Sequence, residues 1–316
     1  MINAYAQVPD CNFIKVRGPL LVCSSGTTTH KYHILHPPLP ILSSTWKVLP
    51  TSAGTTSNPQ LNFTDVIWNS NAVSLHAFLL FSYVLQNTGG TTISGTDTLW
   101  PQACCSAPAG AVSIRDLDDE VDFIITPAEK VFNAFNIINP VTGLGNCTLN
   151  STTKQVFVNG GTYFIEGQLN LNTTNLVLTG CTLIMGSGAV IYTPFGSNTG
   201  ISGLGDFVAT DTHFKGTSCG MWQGIISSTD TKLYFSGVTI DDAEYAINWG
   251  GCTLAIICDN TTFNNNFISI YTHPKTFVQN SYQNLGNGQT RFRNCTFDSN
   301  GPMLLPTFNG QRGIPL

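Results

Sequence analysis

From Leu176 onward, apolar residues recur in threes at a seven-residue step. Leu176, Leu183 and Val190 form one set, and Phe207, Phe214 and Met221 the next. Leu233, Ile240 and Ile247 follow, then Ile256, Phe263 and Ile270, then Thr290, Phe297 and Leu304. Between sets the central residue advances by 31, 26, 23 and 34 positions, and every member except Thr290 is apolar. Columns of this kind read as the interior of a stacked repeat. A coiled coil would also step by seven. Here, however, the intervening residues are Asn, Gly, Thr, Ser and β-branched types, and no second apolar position completes a heptad. Each rung instead opens with a period-2 strand, as in Leu233-Tyr234-Phe235, Ile256-Ile257-Cys258 and Thr290-Arg291-Phe292. A turn follows (Ser236-Gly237, Asn260-Thr261, Arg293-Asn294), then a second short strand. Strand, turn, strand, turn is one coil of a parallel β-helix. The columns place Leu183, Phe214, Ile240, Phe263 and Phe297 in one interior row.

Residues 7–103 lack the repeat and alternate in short runs, such as Thr45-Trp46-Lys47-Val48 and Val73-Ser74-Leu75-His76-Ala77-Phe78, separated by Ser24-Ser25-Gly26 and Asn87-Thr88-Gly89-Gly90. Short strands at this spacing predict a β-sandwich. Residues 104–145 read as a connector. It carries an acidic run, Asp116-Leu117-Asp118-Asp119-Glu120-Val121-Asp122, and then Thr126-Pro127-Ala128-Glu129, a capping box with Pro at the first helical position. A short helix over 127–135 is expected to cap the N-terminal end of the β-helix, which occupies 146–316. The fold class is therefore all-β, a sandwich followed by a solenoid.

Two resemblances sharpen this. Gly18-Pro19, Cys23, Tyr32-x-Ile34, Trp46-x-Val48 and Val66-x-Trp68 resemble the PKD-like, immunoglobulin-type modules of bacterial surface proteins. Gly180-Cys181-Thr182-Leu183, Gly220-Met221-Trp222-Gln223-Gly224-Ile225 and Ile240-Asp241-Asp242-Ala243 resemble the right-handed parallel β-helix repeat of large secreted bacterial surface proteins, many exported by the type IX route. The second resemblance covers about half the chain. It implies a pectate-lyase-like solenoid and a secreted or cell-surface location, and it implies no reaction.

Composition narrows the function. Charged residues are only 10% of the 316, with net charge −5 and no basic run, so a nucleic-acid surface is not expected. No stretch is long and apolar enough for a membrane span. Ala4-Tyr5-Ala6 before Gln7 has the small-x-small form of a signal-peptide end, so Met1–Ala6 reads either as the remnant of a truncated signal or as an ordinary terminus. The ten cysteines contain no CxxC pair, which argues against structural zinc, and an extracellular chain would pair some of them. No cofactor is implied.

The candidate chemistry is sparse. Asp241 and Asp298 share a column two rungs apart, with Asn264 between them and Lys215 before them. With Asp242 they are the weak catalytic candidates if the chain is a β-helix hydrolase or lyase. The polygalacturonase-type Gly-His-Gly and Arg-x-Lys are absent, and turn capping is the competing account. Arg291 and Arg293 point outward together with no carboxylate column facing them. His213 reads as exposed rather than catalytic. Trp222 and Tyr271, placed in one column, are candidates for stacking on sugar rings, against the reading that Trp222 packs under a loop. Asp116, Asp118, Asp119, Glu120 and Asp122 are weak Ca²⁺ candidates, against a solvated acidic loop. Asn266 and Asn300 are expected to stack as an Asn ladder. The reading is a non-catalytic stalk, adhesin or glycan-contacting module, with an extracellular polysaccharide-degrading enzyme as the alternative. The partners expected are a polysaccharide or cell-surface glycan, and other copies of the chain stacked end to end. The final coil has no recognisable cap, so the native protein is expected to continue past Leu316.

Overall fold

The parallel register of the last third of the chain follows the interior columns. In the computed structural model, which describes residues 16–17, 28–34, 40–72, 74–75, 77–86, 90–99, 101, 105–117, 127–138, 144–171, 173–193, 205–227, 231–249, 255–272 and 290–301, Leu183 pairs with Phe214, Phe214 with Ile240, Ile240 with Phe263 and Phe263 with Phe297. The first four of these five are fully buried, whereas Phe297 is 53% exposed. A second row runs Leu176, Phe207, Leu233, Ile256 and Thr290 in the same unbroken register. The protein is a parallel β-helix over this region, with Val156 and Tyr163 heading the two rows.

The third row departs from the seven-residue step at its first two rungs. Ile191, not Val190, pairs with Ile225, not Met221, and the row continues to Ile247 and Ile270. The turns before Ile191 and Ile225 are longer than at the later rungs: Ile191 stands eight residues after Leu183, past Gly186–Gly188, and Ile225 eleven after Phe214, past the Thr217–Gly220 turn. Val190 and Met221 are buried but lie off this row. The expected Leu304 lies outside the described residues.

Turn chemistry repeats with the coil. Gly160, Gly180, Asp211, Gly237, Asn260 and Asn294, each three residues before its rung's central residue, all have positive φ, the conformation that Gly, Asn and Asp tolerate best. One residue further on, Cys181, Thr212, Thr261 and Cys295 turn a thiol or hydroxyl back onto the carbonyl two residues earlier, at 3.5, 2.9, 3.3 and 3.6 Å. The Asn ladder sits in this turn, where Asn294 Nδ2 donates to Asn260 Oδ1 at 3.2 Å. Asn266 instead holds backbone: its Oδ1 accepts from Ala243 N and its Nδ2 donates to Ile240 O, both at 2.8 Å.

The segment read as a connector is partly solenoid. Val112–Leu117 is a strand pairing in parallel with Thr162–Asn170, so Asp116 and Leu117 of the acidic run belong to the sheet. Arg115 Nε lies 2.7 Å from Oε2 of the buried Glu166 and ties that strand down. A helix spans Pro127–Phe135, and its Ala128, Val131 and Phe135 join the solenoid core. The Phe135 ring packs on Tyr163 at 4.8 Å. This covers apolar surface at the first rung, as a terminal element of a stacked repeat must.

The chain divides into two compact units between Cys104 and Cys105. The N-terminal unit is a β-sandwich of two antiparallel sheets. One contains Val16–Arg17, Thr28–Ile34, Phe63–Trp68 and Gly54–Ser57, and the other Ile41–Leu49, Phe78–Gln86 and Thr92–Leu99. Alternation sorts their faces: Thr64, Val66 and Trp68 are buried on one strand and Leu79, Phe81, Tyr83 and Leu85 on another. The buried polar tips are paired, with Trp68 Nε1 donating to Tyr32 OH at 2.8 Å. No helix among the described residues is long and apolar enough to cross a membrane.

Candidate functional site

The outward face of the sheet that carries the central row is built from residues flanking each inward one. One flank reads Thr182, His213, Thr239, Thr262 and Thr296, and the other Phe164, Ile184, Lys215, Asp241, Asn264 and Asp298. At the first two rungs Phe164 and Ile184 are buried beneath Cys105 and Ala111. From Lys215 on, the face is polar and half-exposed, becoming exposed at Asp298.

His213 and Asp241 meet on this face. His213 Nε2 lies 2.6 Å from Asp241 Oδ2, with side chains 39% and 16% exposed. The sequence reading left His213 unpaired. The signal was present in the columns, because His213 precedes its inward Phe214 and Asp241 follows Ile240 one rung on, which makes them diagonal neighbours on one face. Asp241 Oδ1 is buried without a hydrogen-bond partner. Asp242, at φ 60, has its carboxyl pushed above the ordinary 3.8 by burial and then by the Asp241 charge, with His213 acting in the opposite direction. Its side chain lies against Gly216, where a Cβ would come 2.8 Å from Asp242 Cβ.

The backbone here is held from both sides. Trp222 Nε1 donates to Asp241 O at 2.7 Å, and Asp242 N donates to Asn264 O at 3.2 Å. Asp298 stands two rungs from Asp241, and its Oδ1 accepts from Ser299 N at 2.7 Å, a turn-capping bond. The structure therefore joins Asp241 to His213, places Asp242 beside them against Gly216, and leaves Asp298 apart.

Three expectations are corrected. Trp222 is fully buried and stacks on Phe214 at 6.4 Å, so it offers no face to a sugar ring. Trp222 and Tyr271 do not share a column. Trp222 pairs with Ala243, while the row of Tyr271 runs through Tyr192, Ile226 and Asn248, because the longer turn of that rung puts Ile226 twelve residues after Phe214 where Tyr271 stands eight after Phe263. Tyr271, half-exposed, packs on Tyr245 at 5.2 Å. Finally, a carboxylate does face the arginine pair. Asp259 accepts from Arg291 at 2.8 Å and lies 3.3 Å from Arg293 Nε, since it stands opposite Arg293 in the neighbouring rung.

Of the Ca²⁺ candidates, Asp118, Asp119, Glu120 and Asp122 lie outside the described residues, and Asp116 is placed in strand Val112–Leu117. Among the described residues no group of three or more His, Cys, Asp or Glu is arranged to hold a metal ion.

The architecture and the polar strip define the class as a parallel β-helix protein. No family model, no curated protein and no solved structure matches the chain.

Proposed function

We propose that the chain is a secreted or cell-surface protein that uses the polar strip of its β-helix to contact a glycan polymer, without cleaving it. The observation that carries this reading is the strip itself. Lys215, Asp241, Asn264 and Asp298 follow one another on successive strands, with His213, Thr239, Thr262 and Thr296 beside them. Three strand spacings make roughly 14 Å of regularly repeated donors and acceptors, a match for an extended chain of hydroxyl-bearing units. The carboxylates are already engaged: Asp241 holds His213, Asp298 caps its own turn, and Asp259 holds two arginines. The sandwich unit resembles a PKD-like module, which fits a bacterial surface protein of the type IX-exported kind. Association end to end belongs to the same proposal. Among the described residues Thr290–Arg293 and Thr296–Asp298 are exposed edge strands, and Phe292 and Phe297 are 38% and 53% exposed.

The second reading is a polysaccharide-degrading enzyme. It is favoured by one observation: burial and then the Asp241 charge hold the Asp242 carboxyl above its ordinary value beside an Asp241 paired with His213, and environments that push neighbouring carboxyls apart are how such pairs divide acid and base roles. Affinity electrophoresis in gels containing neutral or uronic-acid polysaccharides separates the readings. Retardation that weakens in Lys215→Ala and Asn264→Ala, with no new reducing ends, supports binding. Reducing ends that disappear in Asp241→Asn establish the enzyme, and no retardation by any polymer removes the glycan.

A further inference from the structure

Cys105 stands where the polar strip begins. Its side chain packs on Phe164 and Ile184, and its backbone N–H donates to a carboxylate oxygen of Glu166. The next rung at this point is Gly186, which has no side chain: a Cβ there would lie 3.3 Å from Ile165 O. One rung further, Thr217 N donates to Met185 O, and Thr217 Oγ1 accepts from Cys219 N at 3.3 Å within the tight Thr217–Gly220 turn. The Cys105 thiol reaches this turn, where the Cys219 thiol, the Thr217 hydroxyl and the Ser187 backbone are its hydrogen-bond partners. Cys219 is exposed and Cys105 is 8% exposed.

We propose that Cys105 and Cys219 form a disulfide that fastens the segment covering Phe164 and Ile184 to the Thr217–Gly220 turn, beside the polar strip. The proposal is independent of what the strip binds. An exposed thiol in contact with a buried one is an arrangement for two-step exchange. The Cys219 thiolate attacks one sulfur of a small oxidised disulfide such as oxidised glutathione, forming a mixed disulfide and releasing one glutathione thiolate. Cys105 then gives up its proton, attacks the Cys219 sulfur and releases the second. The two protein thiols lose two electrons and two protons, and one glutathione disulfide becomes two thiols. Burial pushes the Cys105 thiol up, so Cys105 serves as the resolving partner and the exposed Cys219 as the one first reached. Cys181 and Cys258 are buried in the core and serve as internal controls.

The test uses the full reduced chain, incubated with oxidised glutathione without denaturant, then alkylated and mapped by mass spectrometry without reduction. The expected result is a linked Cys105–Cys219 peptide pair that reductant separates, with Cys181 and Cys258 recovered unlinked. Cys105→Ser should instead accumulate the glutathione adduct on Cys219. Oxidised wild type should melt higher than reduced wild type, and Cys219→Ser should melt at one temperature under both conditions. A persistent adduct on Cys219 in the wild type, or a Cys219 link to Cys104 or any other cysteine, overturns the proposal.

Discussion

His213 Nε2 and Asp241 Oδ2 are 2.6 Å apart across a sequence separation of 28 residues. The contact exists because Phe214 and Ile240 stack inside the coil, which places the residue before one and the residue after the other on a common outward diagonal. Interior packing thus sets the geometry of a contact that local sequence does not show.

Removing the imidazole strands a carboxylate whose Oδ1 already lacks a partner. His213→Ala is expected to lower stability by about 1 kcal/mol, less than for a fully buried pair because His213 is partly exposed. His213→Gln, which keeps a donor, should recover part of the loss. Urea denaturation of the three proteins checks this, and an alanine variant as stable as wild type would show that the pair contributes nothing.

Asp242 predicts a pH effect of definite sign. Burial raises its folded-state value above the ordinary 3.8. Its contribution is therefore fully present below the unfolded value and is lost as pH rises through the folded one. At neutral pH the charged group is a cost. Asparagine removes the charge and suits the backbone, since Asn265 holds the equivalent turn position at φ 52 against φ 60 for Asp242. Asp242→Asn should be more stable than wild type at pH 7 by about 0.5–1 kcal/mol, with the gap closing as pH falls below the ordinary value. A gap that stays constant with pH would assign the effect to the backbone instead.

The central row can be tested at two depths. Ile240 is fully buried between Phe214 and Phe263, whereas Phe297 is 53% exposed at the far rung. Ile240→Asp buries an unpaired charge and is expected to cost more than about 4 kcal/mol, abolishing the cooperative melt. Phe297→Asp should lose much less, mainly its stacking on Phe263, whose ring lies 4.9 Å away. Circular dichroism melts distinguish the two, and a cooperative melt for Ile240→Asp would refute the buried register.

The sequence carried the solenoid because one inward residue per strand repeats regardless of loop length, so Leu183 to Phe297 was legible despite uneven spacings. The third row was legible only where the intervening turn had constant length. Ile247 and Ile270 stand seven residues after Ile240 and Phe263, but Ile191 stands eight after Leu183 and Ile225 eleven after Phe214. That slip put Trp222 on the wrong face and paired it with Tyr271. The Asp259–arginine clamp was missed for a different reason. Asp259 ends its strand, and only the register Asp259↔Arg293 shows that it faces the pair. The strand Val112–Leu117 was masked by its charged residues, Arg115 and Asp116. A buried Glu166 to receive Arg115 cannot be inferred from the local sequence.

The bulge between the second and third rungs of the third row rests on Gly224, which makes it the sharpest place to test that row. Gly224 has φ +113, and a Cβ there would fall 1.6 Å from Tyr245 O and 2.6 Å from its carbonyl carbon. Both obstacles are backbone of the adjacent strand, so no side-chain rotation relieves them. The register passes from Gly224↔Tyr245 to Ile225↔Ile247 at this point, leaving Ala246 as the extra residue. Gly224→Ala must therefore either separate the two strands or erase the bulge. Erasing it would turn Ile225 off the row that Ile191 and Ile247 occupy. A loss of more than about 3 kcal/mol is expected. Gly180→Asn is the control: Gly180 also has positive φ, at +64, but nothing lies within 4 Å of its added Cβ. Asn260 and Asn294 already hold the same turn position two and three rungs beyond Asp211. That variant should melt close to wild type. If Gly224→Ala melts there as well, the strand pairing at Gly224 is not the one described.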